Sequence, residues 1–190
     1  MRWDALFGDM EAELASGDRL ARESEIAERS RTDIAGVELA DRLRGSLGLR
    51  VGVHLGSDAV FEGTLSHVGG ESLVLDEHHH QVLIPYAAVS RYQGLGRLAL
   101  TEQSSVRRKL GLASSLRGFA RDRAELAVFL MGGTQGGAGL SGVIDRVGRD
   151  YFDLAITRSG EARRAANVSQ VASVPFASLR ALRSIRSAAL

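Results

Sequence analysis

Residues 104 to 123, SSVRRKLGLASSLRGFARDR, hold Arg107, Arg108, Lys109, Arg117, Arg121 and Arg123 against Asp122 as their one acidic side chain. Guanidinium and ammonium groups at this density meet phosphate or carboxylate oxygens without reading base identity. On a helix, Arg107 and Arg108 would fall near the N-terminus, where they oppose the helix dipole at a cost of about a few tenths of a kcal/mol that an anionic partner offsets. Arg146, Arg149, Arg163 and Arg164, in later turns, extend the same candidate surface. Such a surface would bind RNA phosphates in a sequence-neutral and salt-dependent way. The competing reading is that it meets the acidic N-terminal segment of the same or another chain.

Other chemistry is thinly represented. His78, His79 and His80 stand in a row, but neighbours on an extended chain point to opposite sides, so three in succession converge poorly on one ion. They read as a polar hairpin tip, and no metal is expected. The stretch GGTQGGAG is followed by no Gly-Lys-Ser/Thr, which removes the phosphate-loop reading. The serines lack a nucleophile elbow, and His54 and His67 have no identifiable carboxylate and serine partners. The chain reads as non-catalytic and free of cofactors.

Composition agrees with a globular protein: 190 residues, 44% apolar and 25% charged, with no cysteine and therefore no disulfide or thiolate site. No apolar run approaches a membrane span, and the chain opens on an amphipathic segment instead of a basic region followed by an apolar one. The expectation is a cytoplasmic protein with no membrane contact. Lys109 is the only lysine among 24 basic residues, a bias that suggests a GC-rich bacterial genome. Net charge near zero hides a split. Residues 1 to 103 carry ten basic and seventeen acidic side chains, whereas residues 104 to 190 carry fourteen and six.

These groups must be held by elements whose periodicity can be read. Trp3, Leu6, Phe7, Met10 and Leu14 fall on one helical stripe, a candidate face for docking on the rest of the chain, on another copy or on a protein partner. A long helix is expected from there to about Leu47, with Gly17 and Gly36 as weak points. The period then changes to two through Val51, Val53 and Leu55, then Val60, Leu65, Leu73, Leu75, Val82, Ile84 and Val89, which reads as five short strands. Gly63 suits a sharp bend. A second copy follows. FEGTLSHVGGESLVL (61 to 75) aligns with LSGVIDRVGRDYFDL (140 to 154), and VLIPYAAV (82 to 89) with ASVPFASL (172 to 179), so that both prolines of the chain, Pro85 and Pro175, coincide. Between the copies, residues 104 to 123 read as a basic helix with Val106, Leu110, Ala113, Leu116 and Ala120 inward and Ser104 or Ser105 as its cap.

A helix followed by five short bent strands, with a glycine in the second and a closing Ile-Pro-Tyr-Ala-Ala-Val-Ser, resembles the Sm-like family, including bacterial Hfq. The resemblance covers about 40 to 93 and 106 to 182. It implies small barrels of the Sm-like or SH3-like kind, exposed edge strands that pair with neighbours, and RNA as partner. It also implies a base pocket built from an Asp in the turn after the second strand and an Asn on the third. Here those places hold Gly69 and Gly148, then Leu73 and Phe152. The Lys and His of the closing motif are replaced by Pro85, Tyr86 and Ala87, and by Pro175, Phe176 and Ala177. The expected fold is therefore mainly β with helices (α+β): an N-terminal helical segment (1–47), a first Sm-like barrel (48–100), a basic linker helix (101–124) and a second barrel with a C-terminal tail (125–190). The expected function is RNA-associated binding through the Arg-rich surface. The alternative is a structural or adaptor module that assembles with protein partners, or with itself, through edge strands or the N-terminal helix and touches no nucleic acid.

Overall fold

The computed structural model describes residues 22, 24–25, 34–56, 59–105, 110–132, 140–157 and 170–185. The chain divides into two units, residues 1–38 and 39–190. In the first, Arg22, Ser24, Glu25, Ile34 and Ala35 are helical, and the chain leaves the helix at Gly36, where Val37 N–H donates to the Ile34 carbonyl as a turn. A helix continuing to Leu47 is therefore not what forms. Glycine costs a helix about 1 kcal/mol relative to alanine, and the run gives way there. The stripe of Trp3, Leu6, Phe7, Met10 and Leu14 lies outside the described residues.

The second unit opens with the six-residue helix α1 (Leu39–Arg44) and continues through β1 (Arg50–Leu55), β2 (Val60–Val68), β3 (Ser72–Glu77), β4 (His80–Pro85), a 3-10 turn (Tyr86–Ala88) and β5 (Val89–Gln93). Helix α2 (Leu112–Arg121) then leads into β6 (Glu125–Leu130), β7 (Leu140–Val147), β8 (Tyr151–Ile156), β9 (Gln170–Pro175), a second 3-10 turn (Phe176–Ser178) and β10 (Leu179–Ile185).

The expected pair of separate small barrels with long helices is corrected at this point. All the strands among the described residues belong to one ten-stranded antiparallel sheet in the order β5-β1-β2-β3-β4-β10-β6-β7-β8-β9. Neither set of five strands closes on itself, because β4 pairs with β10 across the boundary between them. A strand whose backbone groups are satisfied by the neighbouring set has none left with which to seal its own. Strand β10, which runs three residues past position 182 where the resemblance ends, sits in the middle of the sheet.

Within this sheet the same local order recurs. Strands β10-β6-β7-β8-β9 follow the sequence of pairings seen in β5-β1-β2-β3-β4. Each set has one extra residue in its second strand, between Leu65 and His67 in β2 and between Ile144 and Arg146 in β7, and such bulges sharpen the bend. Gly63 and Gly142 sit just ahead of them. A Cβ on Gly63 would lie 2.7 Å from the Asp76 carbonyl oxygen, and one on Gly142 would lie 2.3 Å from that of Ala155, so only glycine lets the two backbones approach this closely. At the corners, Tyr86 N–H donates to the Glu71 carbonyl at 2.9 Å and Phe176 N–H to the Asp150 carbonyl at 2.8 Å.

Two apolar clusters form the interior. One gathers Leu43, Val51, Val53, Leu55, Phe61, Leu65, Leu73, Leu75, Val82 and Ile84 with Ala181 from β10. The other gathers Leu112, Leu116, Leu126, Val128, Ile144, Phe152, Leu154, Val174, Leu179 and Leu182 with Leu83 from β4. Each set of strands thus lends a residue to the core of the other. The basic helix expected over 104–123 is shorter than its pattern. Leu112 and Leu116 are its buried residues, while Leu110 is exposed ahead of it and Val106 lies outside the described residues.

Candidate interaction site

Of the ten basic residues expected to face an anion, Arg107, Arg108, Lys109, Arg163 and Arg164 lie outside the described residues. The other five are spread over several elements. Arg117 and Arg121 are on α2, Arg123 follows it with φ 52°, Arg146 is on β7 and Arg149 is in the turn to β8. Three of them have carboxylates beside them: Arg121 with Asp122 at 3.4 Å, Arg123 with Asp145 at 3.7 Å and Arg146 with Asp153 at 3.9 Å. All five are exposed, and exposed pairs of this kind contribute about 0–1 kcal/mol. They nevertheless place a negative charge beside three of the five cations, which weakens the field a phosphate would meet there.

The corner where the resemblance would place a base is spanned by Tyr86, whose hydroxyl donates to the Gly69 carbonyl at 2.8 Å. Burial pushes the Tyr86 phenol well above its ordinary value, and neighbouring Tyr92 adds to the shift while Arg44 opposes it. Burial also pushes Tyr92 up to about 12. Arg44 reaches the corner from α1 and pairs with Asp41 at 2.6 Å. The Tyr92 hydroxyl and Arg44 Nε are buried without a hydrogen-bond partner. Helix α1, the β2–β3 turn and β5 therefore converge on two neutral phenols and a paired guanidinium, which leaves no free charge there.

Sequence reasoning missed an elaborate constellation, the joint between β4 and β10. Leu182 lies opposite Leu83, Arg183 opposite Val82, Ser184 opposite Gln81 and Ile185 opposite His80. Arg183 Nη2 donates to Glu77 Oε2 at 2.8 Å, and its guanidinium stands 5.5 Å from the Phe61 ring and 5.7 Å from the Phe129 ring. The two rings meet edge to face at 5.5 Å. A cation shared by two aromatic faces and a half-buried carboxylate ties β2, β3, β6 and β10 together.

A second fastening lies at the other end of β3. Glu71 Oε2, in the β2–β3 turn, accepts from Leu112 N–H at 2.7 Å and so caps α2 from another part of the chain. Gly111, the residue before the helix, permits this, since a Cβ there would lie 2.5 Å from the same oxygen. The cap expected at Ser104 or Ser105 is thus replaced by a distant carboxylate. The sequence carries one faint signal of the joint, Arg183 in the run LRALRSI.

The ends of the sheet are the reverse of the joint. Strands β5 and β9 are its two edges, and among the described residues nothing pairs with their outer sides. On β5 and its neighbour β1, His54 Nε2 meets Gln93 Oε1 at 2.7 Å and Arg91 approaches His54 Nδ1 at 3.3 Å. On β9, Val171 is exposed and the Ser173 hydroxyl donates to Asp153 at 2.6 Å.

His78, with φ 44°, and His79 form the tip of the β3–β4 hairpin, while His80 begins β4. Among the described residues no three His, Cys, Asp or Glu side chains gather as metal ligands, and no helix is long and apolar enough to cross a membrane. No family model matches this chain, and no curated protein is significantly similar to it.

Proposed function

We propose that this chain is a non-catalytic assembly module, one five-strand unit written twice and related to the Sm-like family, that joins protein chains through the open edges of its sheet. One observation carries the reading. The two sets of strands are already joined edge to edge at β4 and β10, and the strands left open, β9 and β5, hold the corresponding places in the other sets. Exposed edges invite strand addition, since their unpaired amides and carbonyls gain partners on contact. An RNA-associated role has less support, because three of the five described arginines of the basic surface already stand beside carboxylates.

The test is the native mass of the tagged chain in an extract of its own cells, with and without ribonuclease. Substitution of Val171→Lys on β9 and Ser90→Lys on β5 places charge on exposed edge positions and should return the chain to monomer mass. Ribonuclease should change nothing. Collapse of the complex on ribonuclease treatment, or a wild-type chain that runs as a monomer, overturns the reading.

A further inference from the structure

We infer that α2 carries a docking seat for an extended segment of another protein, one with leucines at alternate positions followed by a carboxylate. The seat is separate from the sheet edges, and its occupied form is present in the chain's own first half. The two helices correspond residue by residue, LADRLRG (39–45) to LASSLRG (112–118). Leu43 is 1% exposed and Leu116 0%, so each helix is anchored on its core in the same rotation.

Beside α1, the chain leaving β5 turns back at Gly94, with φ 81°, and runs along the helix in steps of two residues. Gly96 N–H donates to the Ser46 hydroxyl at 3.1 Å, and its carbonyl accepts from Arg42 Nε at 3.0 Å. The Leu98 carbonyl lies against Gly45, where a Cβ would collide with it. Leu100 N–H donates to the Asp41 carbonyl at 2.9 Å, and the Thr101 hydroxyl to the Asp41 carboxylate at 3.4 Å. A helix thus holds an extended backbone because a glycine lets it close in.

Beside α2, no described residue fills the corresponding place. Leu182 lies opposite Val128 as Tyr92 lies opposite Val53, so Ser184 stands where Gly94 does. Ser184 does not turn the chain back; it pairs with Gln81, and β10 runs on to Ile185 opposite His80. A Cβ on Gly118 would meet nothing within 4 Å. Gly118 nevertheless lies inside a helix of 10 residues, where only proline is less favourable. Nothing among the described residues requires a glycine there, and an incoming backbone would.

The side chains of the seat specify its occupant. The Asp41 carbonyl accepts from Gly45 N–H within the helix and from Leu100 N–H besides, and the Ser114 carbonyl offers the same second lone pair. Arg44 pairs with Asp41 at 2.6 Å, but Asp41 is replaced by Ser114 on α2, so Arg117 has no described carboxylate beside it. The occupant must bring one. Phe119 in place of Ser46 and Ser115 in place of Arg42 remove the polar grip on Gly96 and favour an apolar residue there. A second copy does not supply the segment, because its own residues 95–101 are seated on its own α1.

The probe is a synthetic peptide, LLRLALDE, which is residues 95–102 carrying Gly96→Leu and Thr101→Asp. Added to the isotope-labelled full chain, it should move the amide resonances of Ser114, Ser115 and Gly118 saturably below about 1 mM. Gly118→Ala should raise the melting temperature by about 2–4 °C, since alanine is the better helix former, and yet weaken the peptide about tenfold or more. Gly45→Ala should lower the melting temperature, because its seat is filled. A peptide with aspartate in place of the leucines at 98 and 100 should not bind. Resonances that stay still at about 1 mM, or a Gly118→Ala chain that binds as wild type does, overturn the inference. A chain ending at Ile185 that binds about tenfold more tightly than the full chain assigns the seat to residues 186–190 and overturns a foreign occupant. Val171→Lys on the sheet edge should leave the peptide's affinity unchanged, so loss of the seat and loss of edge assembly are read separately.

Discussion

In the first set of strands the corner after Pro85 is filled by Tyr86, whose hydroxyl reaches the Gly69 carbonyl at 2.8 Å, with Tyr92 beside it. In the second set the corner after Pro175 is filled by Phe176, which leans on Phe152 at 6.5 Å between ring centroids, with Leu182 at the place of Tyr92. The corner is closed alike in both, by an amide that donates to the carbonyl of a turn residue, Glu71 or Asp150. The difference follows position in the sheet. Leu182 faces Leu83 across the joint and is fully buried, whereas Tyr92 belongs to an outer edge and keeps a polar handle. The two sets share a frame, and their side chains record whether a neighbour is present.

The contrast can be broken most forcefully at the joint. Leu83 is buried in the core of the opposite set, so Leu83→Ala should cost about 2–5 kcal/mol in urea unfolding. Ser173→Ala, at the corresponding place on the open edge, should stay within about 0.5 kcal/mol of wild type. Equal losses at both positions would show that β9 is as enclosed as β4.

An intermediate effect is expected at the two turns. Glu71 caps α2, and Glu71→Ala removes the acceptor for Leu112 N–H, which should cost about 1 kcal/mol in thermal unfolding. Asp150 occupies the matching turn and its side chain is exposed, so Asp150→Ala should leave the melting temperature of the monomer unchanged. A comparable loss at Asp150 would mean that its carboxylate also holds an element of the same chain.

The smallest effect at neutral pH is expected at the phenols. Tyr92→Phe deletes a buried hydroxyl that has no partner, so it should be neutral or stabilising by up to about 1 kcal/mol. The difference appears in alkali. Both phenols hold their protons more tightly in the folded chain than in the unfolded one, with Tyr92 at about 12 against an ordinary 10.0. Their contribution is thus fully present below pH 10 and is lost as pH rises toward 12, because only the unfolded chain releases the protons in that window. A Tyr86→Phe, Tyr92→Phe chain should show a flatter alkaline limb in urea titrations between pH 9 and 12. An unchanged limb would place the sensitivity elsewhere.

Much of this molecule is local and was therefore legible. The alternation at Val51, Val53 and Leu55 and again at Leu126 and Val128, the close-approach glycines Gly63 and Gly142, and the prolines that open each corner are properties of a few neighbouring residues, and the strands appear where those patterns stand. The weak point at Gly36 is of the same kind, and the helix stops there instead of only weakening. Of the candidate site, little could be read. The arginines are visible as letters, but the carboxylates beside Arg123 and Arg146 reach them only through the packing of α2 on β7 and of β7 on β8.

What the amino-acid sequence determined by itself is the pair of five-strand patterns, because side-chain alternation, glycine and proline act within a few residues. What only the tertiary structure decided is how those patterns are joined. Backbone hydrogen bonding is indifferent to side-chain identity, so β4 could satisfy itself with its own set or with the other. The choice was made by Leu83 finding the opposite core, by Arg183 reaching Glu77 from 106 positions away, and by Glu71 capping a helix 41 residues on. Contacts of that span leave no periodic trace in the chain, and they turn two expected barrels into one continuous sheet with two open ends.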